Sequence, residues 1–240
     1  MRVRLDRLLA NLGYGSRREV QGMIAAGKVR LDDVVLRDGA AHVITGPDLP
    51  ARMTLAGAPV DPPSPLTLLL HKPIGVVCSH REAGRSIYEL LPARCRQRTP
   101  TLSTIGRLDG DTSGLILLTD DGALLHQVIS PKRHVEKRYL ATLERPLTGE
   151  EGALFATGTL MLEGETKPLA PARLEPVDAL HGRLTITEGR YHQVRRMFAA
   201  TGNHVVALHR EAVGGLELPE DLAPGDLRVA TEADIAAMLG

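Results

Sequence analysis

The sequence predicts an α+β protein in two parts: a small, basic, helix-led domain and a larger domain of interspersed strands and helices. Three observations carry this. The 240 residues exceed the roughly 100–200 typical of one domain. Six prolines between positions 47 and 65 (Pro47, Pro50, Pro59, Pro62, Pro63, Pro65) mark a stiff, extended stretch. Beyond it, strand-length and helix-period apolar runs follow each other without steady βα alternation, which favours α+β over a doubly wound parallel sheet. The expected division is a first domain over residues 1–60, a linker over 61–66 and a second domain over 67–240.

Composition narrows the class. Hydrophobic residues are 43% and charged residues 24%, a balance that excludes wholesale disorder. No run reaches the roughly 18 apolar residues of a spanning helix. The opening MRVRLDRLLANLG sets Asp6 and Asn11 among its apolar residues, so it does not read as a secretory leader. Cys78 and Cys95 form no C-x-x-C pair, which argues against a disulfide framework and fits a reducing cytoplasm. Aromatics are only 2%. Leucine, valine, isoleucine and methionine must therefore fill the core, and a tyrosine inside a polar motif stands out.

Taken in order, Leu5, Leu8, Leu9 and Leu12 repeat at helical spacing until Gly13 and Gly15 stop them. Ser16 and Glu19 form a capping box for a second helix, with Val20, Met23 and Ile24 as its apolar stripe and Gly27 at its end. Short strands are expected over 29–31 and 34–36, turning at Asp32-Asp33, and another is possible inside the proline-rich stretch. In the second part, strands are expected over 67–71, 115–118, 138–143, 184–187 and 205–210. Helices are expected over 122–129, 149–156 (Thr148 with Glu151 as a capping box), 191–200 and 232–239.

A net charge of zero hides strong segregation. Residues 1–30 carry Arg2, Arg4, Arg7, Arg17, Arg18, Lys28 and Arg30 against Asp6 and Glu19. Residues 189–210 carry Arg190, Arg195, Arg196 and Arg210 with three histidines and no acid, whereas 211–240 set seven acids against Arg228. One such run is usually a solvated face. Two basic segments balanced by an acidic tail point to directed attraction to a polyanion, and the first two helices would display their arginines for gripping phosphates.

Residues 106–122 read GRLDGDTSGLILLTDDG: an arginine, an acid, a glycine-rich turn, then a buried strand. This presents Asp109 on a loop held by rigid structure, where reactive groups are usually found. Taken alone, Asp109-Gly110-Asp111 reads more readily as a plain turn, and Thr119-Asp120-Asp121 most simply as the cap of the next helix.

Four segments in order change that reading: HKPIGVVCS (71–79), GRLDGDTSGL (106–115), SPKRHVEKRYL (130–140) and EGRYHQVRRMFAATGNHV (188–205). With the basic two-helix module in front and LAPGDLR (222–228) behind, the whole chain resembles the RsuA branch of the RsuA/RluB/RluE/RluF family of pseudouridine synthases. The resemblance implies a catalytic domain with a mixed, largely antiparallel sheet, the pseudouridine synthase fold, behind a small S4-like (α-L) RNA-binding domain. It also implies a reaction that detaches uracil from its ribose, turns the base and rejoins it through carbon 5, with no cofactor and no metal. The sequence agrees, having no Gly-x-Gly-x-x-Gly or Walker loop and no convincing metal-ligand spacing. Implied partners are rRNA, 16S in a partly assembled small subunit, and no membrane; a cytoplasmic monomer is expected.

Asp109 matches the family's essential aspartate. A carboxylate suits the task because it is ionised at neutral pH and can also leave, and a buried one needs a cation beside it. At about 100° per residue, Val194, Met197 and Phe198 form the apolar face of their helix. Arg195 lies at the flank, so it is expected to pair with Asp109, and Arg196 points away, towards backbone phosphate. Tyr139 shares a strand face with Ala141 and Leu143. Residue type alone leaves a core tyrosine open; the match to SPKRHVEKRYL implies a ring stacked on the extruded uracil, near the carbon 5 proton. Arg107 is expected to fill the vacated position or hold a phosphate, with a plain surface arginine as the alternative. Lys72 is read as structural or RNA-touching. The expected RNA contacts are Arg2, Arg4, Arg7, Arg17, Arg18, Lys28, Lys72, Arg107, Lys132, Arg133, Lys137, Arg190, His192 and Arg196.

The rival readings are a 23S rRNA synthase of the same family, a non-catalytic RNA-binding assembly factor, and a glycosidase. Tyr191-His192 before Gln193 favours the small-subunit branch. The intact set Asp109, Tyr139 and Arg195 disfavours a scaffold, and a glycosidase needs a second carboxylate about 5–10 Å away, for which only Asp111 is an obvious neighbour. Two departures from the family pattern touch domain orientation: the long, proline-rich 50–63 and Leu31-Asp32-Asp33 in place of a Val-x-Asp-Gly turn.

Overall fold

The leucine spacing and the capping box produce two leading helices, Leu5–Asn11 and Arg17–Ala25, in the computed structural model, which describes residues 1–79 and 83–240. Ser16 accepts from the Glu19 N–H, and the Glu19 carboxylate accepts from the Ser16 N–H at 2.7 Å. Strands Val29–Leu31 and Val34–Leu36 form a hairpin whose corner residues, Asp32 and Asp33, take φ of 47° and 64°. Two consecutive left-handed residues make the tight turn that matches strand twist, and aspartate tolerates it better than most residues. Met53–Leu55 and Ala58–Pro59 extend this sheet to four strands, while Arg2–Arg4 pairs with His42–Ile44. Leu5, Leu9, Val20, Ile24, Val29, Leu49 and Met53 close a small core with no exposure.

This first unit comprises Met1–Thr67 together with Leu91–Ser103 and Thr119–Gly122. Residues 61–66, expected as a linker, are tied down within it. Arg94 donates to the Asp61 carboxylate at 2.8 Å. Arg98 donates to the Pro62 carbonyl at 3.0 Å and to Asp120 at 3.2 Å. Asp120 also accepts from the Leu66 N–H and the Ser64 hydroxyl. Proline stiffness explains the composition, but a buried ion pair and not free chain holds the segment.

The second unit comprises Leu68–Leu90, Thr104–Leu118 and Ala123–Gly240. Its sheet runs, in spatial order, Arg173–Pro176, His181–Ile186, Lys137–Leu143, Val205–Val213, Thr112–Thr119, Thr67–Lys72 and Leu227–Val229, with Ser103–Thr104 and Leu216–Glu217 attached at the side. Thr112–Thr119 lies parallel to Val205–Val213, and the pairings of Lys137–Leu143, Arg173–Pro176 and Leu227–Val229 are antiparallel. The fold is α+β, with a mixed and mostly antiparallel sheet. Helices Gly122–Ile129 and Glu232–Leu239 supply Leu124, Val128 and Met238 to the core beside Leu69, Leu115 and Leu117. Among the described residues no helix is long and apolar enough to cross a membrane.

Several elements differ from expectation at their ends. The strand expected over 115–118 begins at Thr112 and ends at Thr119, because pairing with Val205–Val213 recruits polar Thr112 and Ser113. The helix expected over 191–200 starts at Gln193, since His192 takes a left-handed φ of 48°. The helix expected from 149 starts at Glu151. There the Glu151 carboxylate accepts from the Thr148 and Gly149 N–H groups, whereas the Thr148 hydroxyl accepts from Glu150.

Candidate active site

One face of the large sheet gathers the polar side chains. Directly opposed residues on antiparallel strands share a face, so Tyr139 and Arg210, which pair, stand together; Lys137, two residues before Tyr139, joins them. The register slips here: Arg138 pairs with Ala212 but Tyr139 with Arg210, leaving Glu211 as the extra residue of a bulge. Glu211 is held on the other face by Arg138 at 3.2 Å and Arg183 at 2.7 Å. Lys137, Tyr139, Ile186, Leu208 and Arg210 form one wall of a cavity of about 700 Å³, a size suited to a small ligand or a single nucleotide.

The loop carrying Asp109 is pinned on three sides. Leu108 is buried and its N–H donates to the Cys78 sulfur at 3.4 Å. The Gly75 N–H donates to the Gly110 carbonyl at 2.7 Å, and the Thr112 N–H donates to the Asp109 carbonyl at 3.1 Å. Gly114, with φ of 114°, then lets the strand approach its neighbour: a Cβ there would stand 2.2 Å from the Arg210 carbonyl oxygen. So held, the Asp109 side chain is 35% exposed and lines the cavity that Tyr139 also lines.

Two cationic or potentially cationic groups attend the carboxylate. His192 brings Nε2 to 3.4 Å from Asp109 Oδ1, and its ring stacks on exposed Tyr191 with centroids 3.9 Å apart. Lys72 is fully buried, and its ammonium donates to the Val76 and Pro73 carbonyls. Burial pulls the Lys72 pKa down, against the opposing pull of Cys78, Asp109 and Asp111.

The expected ion pair between Arg195 and Asp109 is not formed. Arg195 does turn inward from the flank of its helix, but it meets Asp111: 2.9 Å to the carboxylate and 3.3 Å to the backbone carbonyl. It also donates to the Val205 carbonyl at 2.7 Å. It thus fastens the end of the Asp109 loop to a neighbouring strand. Arg196 does not point freely at phosphate either. Its guanidinium is folded onto Glu165 at 3.0 Å and onto the Tyr191 and Glu163 carbonyls, because the acidic 163–165 turn closes over that side of the helix.

Other expected RNA contacts divide in the same way. Arg2, Arg4, Arg7, Arg17, Arg18 and Lys28 are exposed on the first unit; Arg4 and Arg17 share buried Asp6 yet stay 44% and 58% exposed. Arg107, Lys132 and Arg133 are exposed on the second unit, and Arg107 lines the cavity. Arg190 is taken up by Glu188, Glu165 and two backbone carbonyls, and Lys72 is sealed inside; neither is placed to grip RNA. Arg210 is not among the residues expected at the site, although one signal in the sequence points to it. In LHREAV it stands two residues from Leu208 and Ala212, a cation on an otherwise apolar face.

Residues 67–200 match the family of RNA pseudouridylate synthases, and residues 3–43 match the S4 domain. The chain is 40% identical to the ribosomal small subunit pseudouridine synthase A of Escherichia coli strain K12, over 99% of this chain and 100% of that protein. It is also 40% identical to an uncharacterized RNA pseudouridine synthase of Bacillus subtilis, YtzG, over 97% of each chain. A crystal structure of a pseudouridylate synthase superimposes with a TM-score of 0.68 at 36% identity, covering 98% of this chain and 99% of the other.

Proposed function

The chain belongs to the RNA pseudouridine synthase family, and from that premise we propose that it isomerises one uridine of 16S rRNA, in a partly assembled small subunit, to pseudouridine. Asp109 is the nucleophile and acts on a base turned out of its helix. The likeness to synthases named for the ribosomal small subunit supports the substrate. The observation that carries the chemistry is that the Asp109 and Tyr139 side chains line one cavity large enough for a nucleotide.

In the reaction the bond between C1′ and N1 breaks, a bond between C1′ and C5 forms, the C5 proton leaves and N1 gains a proton. Asp109 forms the transient bond to the nucleoside. Tyr139, with its ring at the cavity wall, stacks on uracil and stands near the departing proton. Arg195 acts through Asp111 as a positioning residue for the nucleophile's loop. Arg107 and the stacked Tyr191–His192 pair meet the RNA beside the extruded base, and the arginines of residues 1–60, an S4-like module, hold other phosphates of the RNA. This reading places a monomeric enzyme in the cytoplasm with no cofactor.

The test is tritium release from rRNA labelled at carbon 5 of uridine. Wild type is expected to release tritium from small-subunit RNA, and Asp109→Asn to lose release by at least about 10⁴-fold, since removal of a covalent nucleophile is rarely tolerated. Release from 23S RNA alone overturns the substrate; undiminished release by Asp109→Asn overturns the mechanism.

A further inference from the structure

Two cations stand in the wall of the cavity without an acidic partner. Arg210 is 2% exposed. Its Nε donates to the Leu115 carbonyl at 2.7 Å, its guanidinium carbon lies 6.0 Å from the centre of the Tyr139 ring, and its buried Nη2 has no acceptor. Lys137 is half-buried, and its ammonium donates to the Val135 carbonyl at 3.0 Å. Among the described residues neither forms a salt bridge with a carboxylate. Burial and Arg210 both push the Lys137 pKa down.

A buried cation without a counter-charge is costly, and two on one side of Tyr139 repel each other. Two other arginines around this cavity show the contrast: Arg190 and Arg195 are bound to protein carboxylates. The uncompensated pair therefore stands ready for charge that arrives with the substrate. RNA phosphates stay at the surface, by the exposed Arg107 and Tyr191; what reaches the sheet face beside Tyr139 is the base.

The chemistry supplies the charge. If C1′–N1 breaks first, its electron pair passes to uracil and spreads onto the O2 and O4 carbonyl oxygens. If Asp109 first adds to C6, the C5–C6 pair passes through C4 onto O4. Either way a uracil carbonyl oxygen becomes more negative in the transition state. We propose that Arg210 and Lys137 form the electrostatic site that receives this charge, as a preorganised oxyanion-stabilising pair. The proposal rests on the reading of the cavity as a uridine isomerase. It gives the bulge at Glu211 a purpose, since the extra residue is what sets Arg210 beside Tyr139.

The test uses the full chain, labelled small-subunit RNA and separate kcat and KM values for Arg210→Met, Arg210→Lys, Lys137→Met and Lys137→Arg. Loss of a preorganised charge donor is expected to lower kcat by about 100-fold in each methionine variant, with KM within threefold. The charge-keeping variants should recover at least tenfold of that loss, which a purely structural role would not produce. If Arg210→Met fails to fold, as thermal melting will reveal, the less buried Lys137 pair carries the test. Methionine variants within threefold of wild-type kcat overturn the proposal, and so does a loss confined to KM, which would make the cations RNA grips. Failure of the parent reading is separate: wild type would then release no tritium, or Asp109→Asn would release it normally.

Discussion

At the scale of single residues, two adjacent arginines have opposite assignments. Arg195 holds Asp111 and the Val205 carbonyl, so it governs where the Asp109 loop sits. Arg196 is spent on Glu165 and on the carbonyls around it. Arg195→Leu is expected to lower kcat for tritium release by about 10–100-fold, since a misplaced reactive group is costly even at small displacements. Arg196→Leu should leave kcat within threefold and cost about 1 kcal/mol of stability in urea melts. A larger kcat loss for Arg196→Leu than for Arg195→Leu would reverse the assignment. Helix periodicity did separate the two arginines, sending one inward and one outward. It did not reveal that Asp111, two residues past Asp109, intercepts the inward one. That choice depends on how far the loop reaches, which local pattern does not encode. The place of His192 beside Asp109 was hidden for a related reason: nothing in the string GRYHQ announces a left-handed residue.

At the scale of elements, caps and turns were the most legible features because their determinants are local. The Ser16 capping box starts its helix at Arg17 as expected, whereas the expected Thr148–Glu151 box gives way to a helix that begins at Glu151. The Thr231 box that starts the last helix at Glu232 went unnamed in the sequence. What pattern did not show is how the central strands meet. A strand register with a bulge at Glu211 is set by residues some seventy positions apart. The close pass of Gly114 against the Arg210 backbone likewise looks, in sequence, like one more flexible glycine after DTS. It has a sharp consequence. Gly114→Ala combines a φ of 114° with a Cβ 2.2 Å from a carbonyl oxygen, and backbone cannot yield as a side-chain tip can. The variant should lose about 3 kcal/mol or more in urea unfolding and lose tritium release even where it folds. A loss below about 0.5 kcal/mol would mean that the two strands are not so tightly apposed.

At the scale of the molecule, a net charge of zero coexists with a first unit that presents Arg2, Arg4, Arg7, Arg17, Arg18 and Lys28 to solvent. With about four phosphates engaged, RNA affinity should fall roughly 100-fold between 50 and 200 mM salt. A filter-binding series with small-subunit RNA checks the slope, and a response flatter than threefold would remove the electrostatic grip. Charge segregation and the α+β class were readable from composition and order. The way the parts are drawn from the chain was not. Arg94 and Arg98 lie thirty residues beyond the proline-rich stretch, yet both bind it, and a pairing at that distance leaves no periodic trace.

The Arg98–Asp120 clasp, with side chains 2% and 1% exposed, also bears on how this protein can be recombined with its relatives. Cutting at residue 66 and grafting on another RNA-binding head would sever Pro62, Ser64 and Leu66 from the partners that anchor them. A workable transplant has to carry 91–103 and 119–122 along with the head. A head exchanged as one continuous piece through residue 66 would leave Arg98 and Asp120 paired but without the Pro62, Ser64 and Leu66 groups that complete their hydrogen bonding.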